Sequence, residues 1–160
     1  MDTYMSNELI TPQLDPTVQS LVDTIRNEIE SGKERAYLAM EQEKRTTYWN
    51  VGKHIKEHLL QNADRADYGD YLISLLAKEV NLSRTTLYDS VLFFEQYPEI
   101  VSTSRQLTWS HIRELVRLPE NEDRQQFEDK AISEKLSVRE LRNLVKSGKT
   151  ESEPDVKPLP

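Results

Sequence analysis

Four sets of side chains in this 160-residue sequence have the type and spacing to act on another molecule. Ser83, Arg84, Thr85, Thr86 and Tyr88 open a helix-like segment just after a turn, and Lys78 lies just ahead of that turn. Arg113 and Arg117 stand four residues apart, and Arg139, Arg142, Lys146 and Lys149 recur at i, i+3, i+7 and i+10 as a purely basic stripe. Basic side chains neutralise phosphates; arginine can also grip guanine, and a threonine methyl can meet that of thymine. These three sets therefore point to double-stranded DNA. Ordinary surface chemistry competes with two of them. Arg113 and Arg117 can pair with Glu114 or Glu120, and bases near a helix C-terminus are favoured by the helix dipole alone.

The fourth set, His54-Ile55-Lys56-Glu57-His58, spells H-x-x-E-H, a spacing at which two histidines can grip zinc with the glutamate as base. A catalytic zinc needs a third ligand, and the only other histidine is His111, in a separate segment beside Trp109. A solvated helix face with Ile55 and Leu59 inward accounts for the motif more simply. Gly-rich nucleotide loops and a Ser/His/Asp arrangement are not legible either. The expectation is a chain with no catalytic residues, no metal and no cofactor.

The DNA-facing side chains need a rigid support, and residues 72–94, LISLLAKEVNLSRTTLYDSVLFF, read as a helix-turn-helix. Leu72, Leu75, Leu76, Ala77 and Val80 trace one helical face, which leaves Ser74, Lys78 and Glu79 toward water. Asn81 suits the positive φ that the turn needs, Leu82 plugs the corner, and Ser83 caps the next helix. That helix is expected to bury Leu87, Val91 and Phe94 and to present Arg84, Thr85, Tyr88 and Asp89 to a major groove. Ser90 departs from the apolar pattern.

The flanking segments are also helical. Val18, Leu21, Val22, Ile25 and Ile29 start a stripe, and helical character resumes through Ala36, Met40, Tyr48, Val51, Ile55 and Leu59. Residues 17–61 therefore form one long broken arm or two packed helices, ended or merely bent at Ser31-Gly32; such an arm can pair subunits as a homodimer, and packing back on the home domain is the equal alternative. Residues 62–70 are turn-rich, with Asp64 or Asp67 as a cap and Gly69 at a close approach or a helix start. Thr108 caps a helix Trp109 to Leu118 with Trp109, Ile112, Leu115 and Val116 inward. Asn121 to Lys135 form an acidic helix, and Ser137-Val138-Arg139-Glu140 is a capping box opening a last helix that Gly148 ends. The expected architecture is all-α, a helix-turn-helix-containing multi-helix domain with a long N-terminal helical arm. Its parts are a disordered lead-in (1–16), the arm (17–61), the helix-turn-helix domain (62–149) and a linker or tail (150–160).

Composition fits this outline. With 36% hydrophobic and 31% charged residues and no cysteine, the chain suits a soluble helical protein and excludes a disulfide scaffold. No signal peptide or membrane-length apolar run is present, so a cytoplasmic location without membrane contact is expected. The net charge of −7 works against DNA, but it is unevenly spread. Residues 1–71 carry 13 acids and 8 bases, whereas residues 72–149 carry 12 of each. A neutral half can bind DNA if its bases share a face, with modest affinity that falls steeply with salt.

From about Trp49 to Lys146, the motifs YWNVGKHI, ADYGDYL, FFEQYPEI, LTWSHIREL and LSVRELRNLV resemble the N-terminal domain of the YhcG family of bacterial proteins. That resemblance implies a helical, winged-helix-like domain expected to bind DNA and to precede a C-terminal PD-(D/E)xK nuclease-like domain. More loosely, LAKEVNLSRTTLYDSVLFF, LTWSHIRELVRLP and KLSVRELRNLV are similar to the helix-turn-helix region of ParB-type centromere-binding proteins. A PD-(D/E)xK site needs an Asp and a Glu-x-Lys on neighbouring strands to hold Mg²⁺, and no strand-like run is present here. Pro154-Asp155-Val156-Lys157 lies in a linker composition. The expected function is thus a non-cleaving DNA-binding module, the targeting half of a nuclease-associated protein. The alternative is a protein-interaction or oligomerisation domain that does not contact DNA.

Overall fold

The computed structural model describes residues 13–63, 67–99, 106–119 and 122–151, without side-chain detail at 122 and 149–151. Among them are six helices and no strand: α1 (Pro16–Gln61), α2 (Tyr68–Val80), α3 (Arg84–Gln96), α4 (Trp109–Val116), α5 (Glu122–Ser133) and α6 (Val138–Glu151). The all-α expectation holds. Most of the expected lead-in and tail, residues 1–12 and 152–160, lies outside the described residues, as does Asp64. The chain divides into two compact units, Met1–Ala39 and Met40–Pro160, with the division falling inside α1. Helix α1 runs unbroken through Ser31-Gly32, where a stop or bend was expected. Glycine weakens a helix interior by about 1 kcal/mol but does not stop it when strong helix formers flank it on both sides.

In the unit Met40–Pro160, two clusters form the core. One gathers Phe93, Tyr97, Leu107, Trp109, Ile112, Leu115 and Leu141, with Tyr48, Trp49 and Phe127 packed against it. The other joins Ile55 of α1 to Leu72, Ile73 and Leu87. The second half of α1 is fastened by specific polar and aromatic contacts. Tyr48 stacks on Trp109 with centroids 4.5 Å apart, Trp49 Nε1 donates to the Tyr97 carbonyl at 2.7 Å, and Lys56 pairs with Glu95 at 2.6 Å. The Arg45 guanidinium donates to the Leu107 carbonyl. Burial raises the Tyr97 phenol well above its ordinary range, aided by its hydrogen bond to the Glu128 carboxylate.

Helix ends follow local chemistry closely. Asn81 takes up φ 55°, and the Leu82 N–H returns to the Ala77 carbonyl at 3.2 Å. The Ser83 hydroxyl accepts from the Thr86 N–H at 3.0 Å. Ser137 and Glu140 make the reciprocal capping box, at 2.7 and 3.2 Å. Asp67 occupies the cap position of α2 at φ 60° but makes no side-chain cap bond.

At α4, Thr108 builds a box with His111 in place of the usual Glu or Gln. The Thr108 N–H donates to His111 Nδ1 at 3.2 Å, so Nε2 carries the proton and donates to the Leu136 carbonyl at 2.7 Å. His111 is buried, and it joins the start of α4 to the connection before α6. Replacing it with alanine strands both the Thr108 N–H and the Leu136 carbonyl, and we expect a loss of about 2 kcal/mol. His111→Gln, which keeps the cap, should recover part of that loss in a urea unfolding series.

Four packing details depart from the sequence pattern. On α2, Ile73 is buried, whereas Leu75 and Val80 are exposed. On α3 the buried face runs through Leu87, Ser90 and Phe93, with Val91 and Phe94 only half-buried. Asp89, expected to face outward, is buried. Gly148 does not end α6, which continues to Glu151; a Cβ there would lie 2.7 Å from Phe127 Cζ, so the glycine makes room for that ring.

Candidate functional site

Helices α2 and α3, each of 13 residues, are joined through Asn81, Leu82 and Ser83. The αL residue and the cap fix how α3 leaves the turn. Leu87 is buried beneath it, so the opposite side of its first turns faces solvent. Arg84 and Thr85 are exposed there and make no ion pair or hydrogen bond of their side chains among the described residues, and Lys78 is equally free on α2. Tyr88 is 38% exposed, with its hydroxyl donating to the Asp70 carboxylate. Ser83 and Thr86 are occupied with each other: their hydroxyls lie 2.8 Å apart, in addition to the cap bond. They secure the turn, and Arg84, Thr85 and Tyr88 are the side chains it offers.

The arginines of α4 are engaged within the protein. Arg113 Nε lies 2.8 Å from Asp89 Oδ2, while Arg117 meets the same carboxylate with Nε at 3.1 Å and with Nη2 at 2.8 Å. Of the partners that their spacing suggested, Glu114 pairs with Arg142 instead, and Glu120 lies outside the described residues. The Asp89 side chain is 3% exposed, against 30% and 43% for Arg113 and Arg117. Two cations thus share one buried anion, as the cost of burying an unpaired carboxylate requires. The hydrogen bond to Asp89 raises the Arg117 guanidinium above its ordinary value.

On α6, Arg139 and Lys146 are exposed and unpaired among the described residues. Arg142 between them is bound to Glu114 through Nε at 3.0 Å and Nη2 at 2.7 Å. The Lys149 side chain lies outside the described residues. The α6 stripe is therefore basic at Arg139 and Lys146 and neutralised in its middle. Of the cations singled out by spacing, Lys78, Arg84, Arg139 and Lys146 carry charge that no described residue answers, and Arg113, Arg117 and Arg142 knit helices together. Asp89 was the residue missed. Its signal was weak: an acid two positions after buried Leu87 and one before Ser90, facing an i, i+4 arginine pair on a later helix.

The H-x-x-E-H histidines part company. His58 Nε2 lies 2.9 Å from the Tyr68 hydroxyl and so links α1 to α2, His54 is exposed, and Glu57 pairs with Lys53 at 3.9 Å. Among the described residues no group of three or more His, Cys, Asp or Glu side chains converges on a metal-sized site. No described helix is long and apolar enough to cross a membrane.

These features define an all-helical module built around a tightly capped helical hairpin, with a buried Asp89 and its two partly exposed arginines bracing one of its helices. The chain belongs to the DUF1016 N-terminal domain family, whose model matches residues 24–151, in keeping with the YhcG-type motifs. No curated protein and no solved structure matches the chain.

Proposed function

We propose that this chain is a DNA-binding module in which α3 reads duplex DNA from its first two turns. The observation that carries the proposal is the exposure of Arg84, Thr85 and Tyr88 directly after the Ser83-capped turn, on a helix whose other side is built into the core. Arg139 and Lys146 of α6 are its phosphate contacts, and Lys78 adds a third cation. Arg113, Arg117 and Arg142 act through the fold, since each is already bound to a carboxylate. The YhcG-type and ParB-type resemblances support the same function, with a nuclease-like domain in a longer chain as the effector.

Anisotropy of a labelled duplex, titrated across a salt series, tests this. Log affinity should fall linearly with log salt, and Arg139→Ala with Lys146→Ala should make the slope shallower by about 2, because each phosphate left unneutralised removes about 0.9. Arg84→Ala should weaken binding by about 10-fold or more. Binding that ignores salt, or an Arg84→Ala variant indistinguishable from wild type, would overturn it. Tyr71 and Leu75, exposed one turn apart on α2, favour a second reading as a protein-interaction domain that positions a separate nuclease. That reading predicts no duplex affinity and loss of a protein partner on Tyr71→Ala.

A further inference from the structure

The unit Met1–Ala39 carries an apolar face left open among the described residues: Val18, Leu21, Ile25 and Ile29 are all at least 43% exposed. Its inner line runs Val18, Val22, Ile25, Ile29, Gly32, Ala36, Ala39, alternating steps of four and three over three heptads. That is the repeat of a helix seeking a helix. Large residues fill the first half of this line and small ones the second.

We infer that this face binds a second copy of the same chain, antiparallel, about a two-fold axis between Glu30 and Ser31. In that arrangement Val22 lies over the second copy's residue 39, Ile25 over its residue 36 and Ile29 over its residue 32. Each of these three layers then matches a branched side chain with an alanine or glycine, and the backbones can approach closely. A parallel pair would stack glycine on glycine and alanine on alanine, leaving voids in three of its seven layers. Charge selects the register. Glu28 and Arg35, already bridged along one edge of the helix at 3.1 Å, face the opposite charges of their counterparts across the two-fold. Slipping by one heptad would instead set Glu28 against Glu28 and Arg26 against Arg26, both unfavourable. In the favoured register Arg26 does approach the other copy's residue 33, a lysine, but that lysine is already neutralised by Glu30 at 3.1 Å. Between residues 16 and 39 the helix has four acids and three bases, so the two copies do not repel as wholes.

Sedimentation equilibrium of the full chain, without DNA, tests the pairing. Wild type should reach twice its 18.7 kDa mass as concentration rises. Ile25→Glu with Ile29→Glu should weaken self-association by about 100-fold or more, with the thermal unfolding of the unit Met40–Pro160 unchanged. The chain has no cysteine, so introduced thiols report orientation cleanly. A mixture of V22C and A39C chains should cross-link on oxidation, and V22C alone should not. A wild type monomeric at every concentration, or efficient cross-linking of V22C to itself, would overturn the proposal. Neither outcome bears on duplex binding, so the two proposals fail separately.

Discussion

Replacing Gly52 with alanine should cost about 3 kcal/mol or more and lower the melting temperature by roughly 10 °C, an outsized effect for one added methyl group. On helix propensity alone the change should stabilise, because alanine is favoured over glycine by about 1 kcal/mol inside a helix. Packing reverses the sign. A Cβ at residue 52 would stand 1.8 Å from the Ser90 carbonyl oxygen, 2.4 Å from its carbon and 3.0 Å from the Val91 nitrogen. All three are backbone atoms of α3, so no side chain can turn aside and the two helices must separate by roughly an ångström in a close-packed interior. That movement would also loosen Trp49, whose ring meets Phe94 at 5.1 Å and whose N–H reaches the Tyr97 carbonyl. Gly69→Ala is the control: its new Cβ would meet only Leu59 Cδ2, at 3.9 Å, and propensity should leave that variant equal to wild type or up to ~1 kcal/mol more stable. Chemical unfolding of both variants beside wild type decides the matter, and a Gly52→Ala protein as stable as Gly69→Ala would refute the close crossing.

This crossing also explains what the sequence did and did not disclose. Asn81, Leu82, Ser83, Thr108 and the Ser137–Glu140 box were legible because their chemistry is settled within a few residues along the chain. A serine followed by a free N–H three residues later caps a helix wherever it lies in the fold. The buried face of α3 was misjudged because apolarity favoured Val91 and Phe94 over Ser90, whereas the position nearest α1 had to be small before it was anything else. Ser90 is fully buried for that reason, and its hydroxyl is satisfied by the Thr86 carbonyl at 2.8 Å. Gly148 was misread in the same way, since a glycine near a helix end looks like a stop until Phe127 is seen to occupy the space. Charge pairing was the least legible of all. Periodicity correctly put Arg113 and Arg117 on one side of α4, but their partner lies 24 and 28 residues back, and nothing local distinguishes an anion in Asp89's position from a solvated one.

The Asp89 cluster should respond asymmetrically to mutation, and the asymmetry separates its structural role from any contact with DNA. Removing both cations, in Arg113→Ala with Arg117→Ala, leaves a nearly inaccessible carboxylate without a counter-charge, at an expected cost of about 3 kcal/mol. Removing the anion, in Asp89→Asn, should cost only about 1 kcal/mol. Both arginines are a third or so exposed, can turn to water, and gain less from the pair than the fully buried partner does. Adding Asp89→Asn to the double arginine variant should then recover stability, because the buried charge is gone; a coupling of about 1 to 3 kcal/mol is expected from such a shared network. Duplex binding of the same three proteins completes the test. If Arg113 and Arg117 only brace α3, the double variant loses affinity as its fold loosens and the triple variant regains it. If they also touch phosphates, the triple variant is stable yet still binds weakly, with a salt slope shallower by about 2. An arginine pair that can be deleted without cost to stability would instead mean that Asp89 finds its compensation elsewhere, and the bracing role assigned to α4 would be wrong.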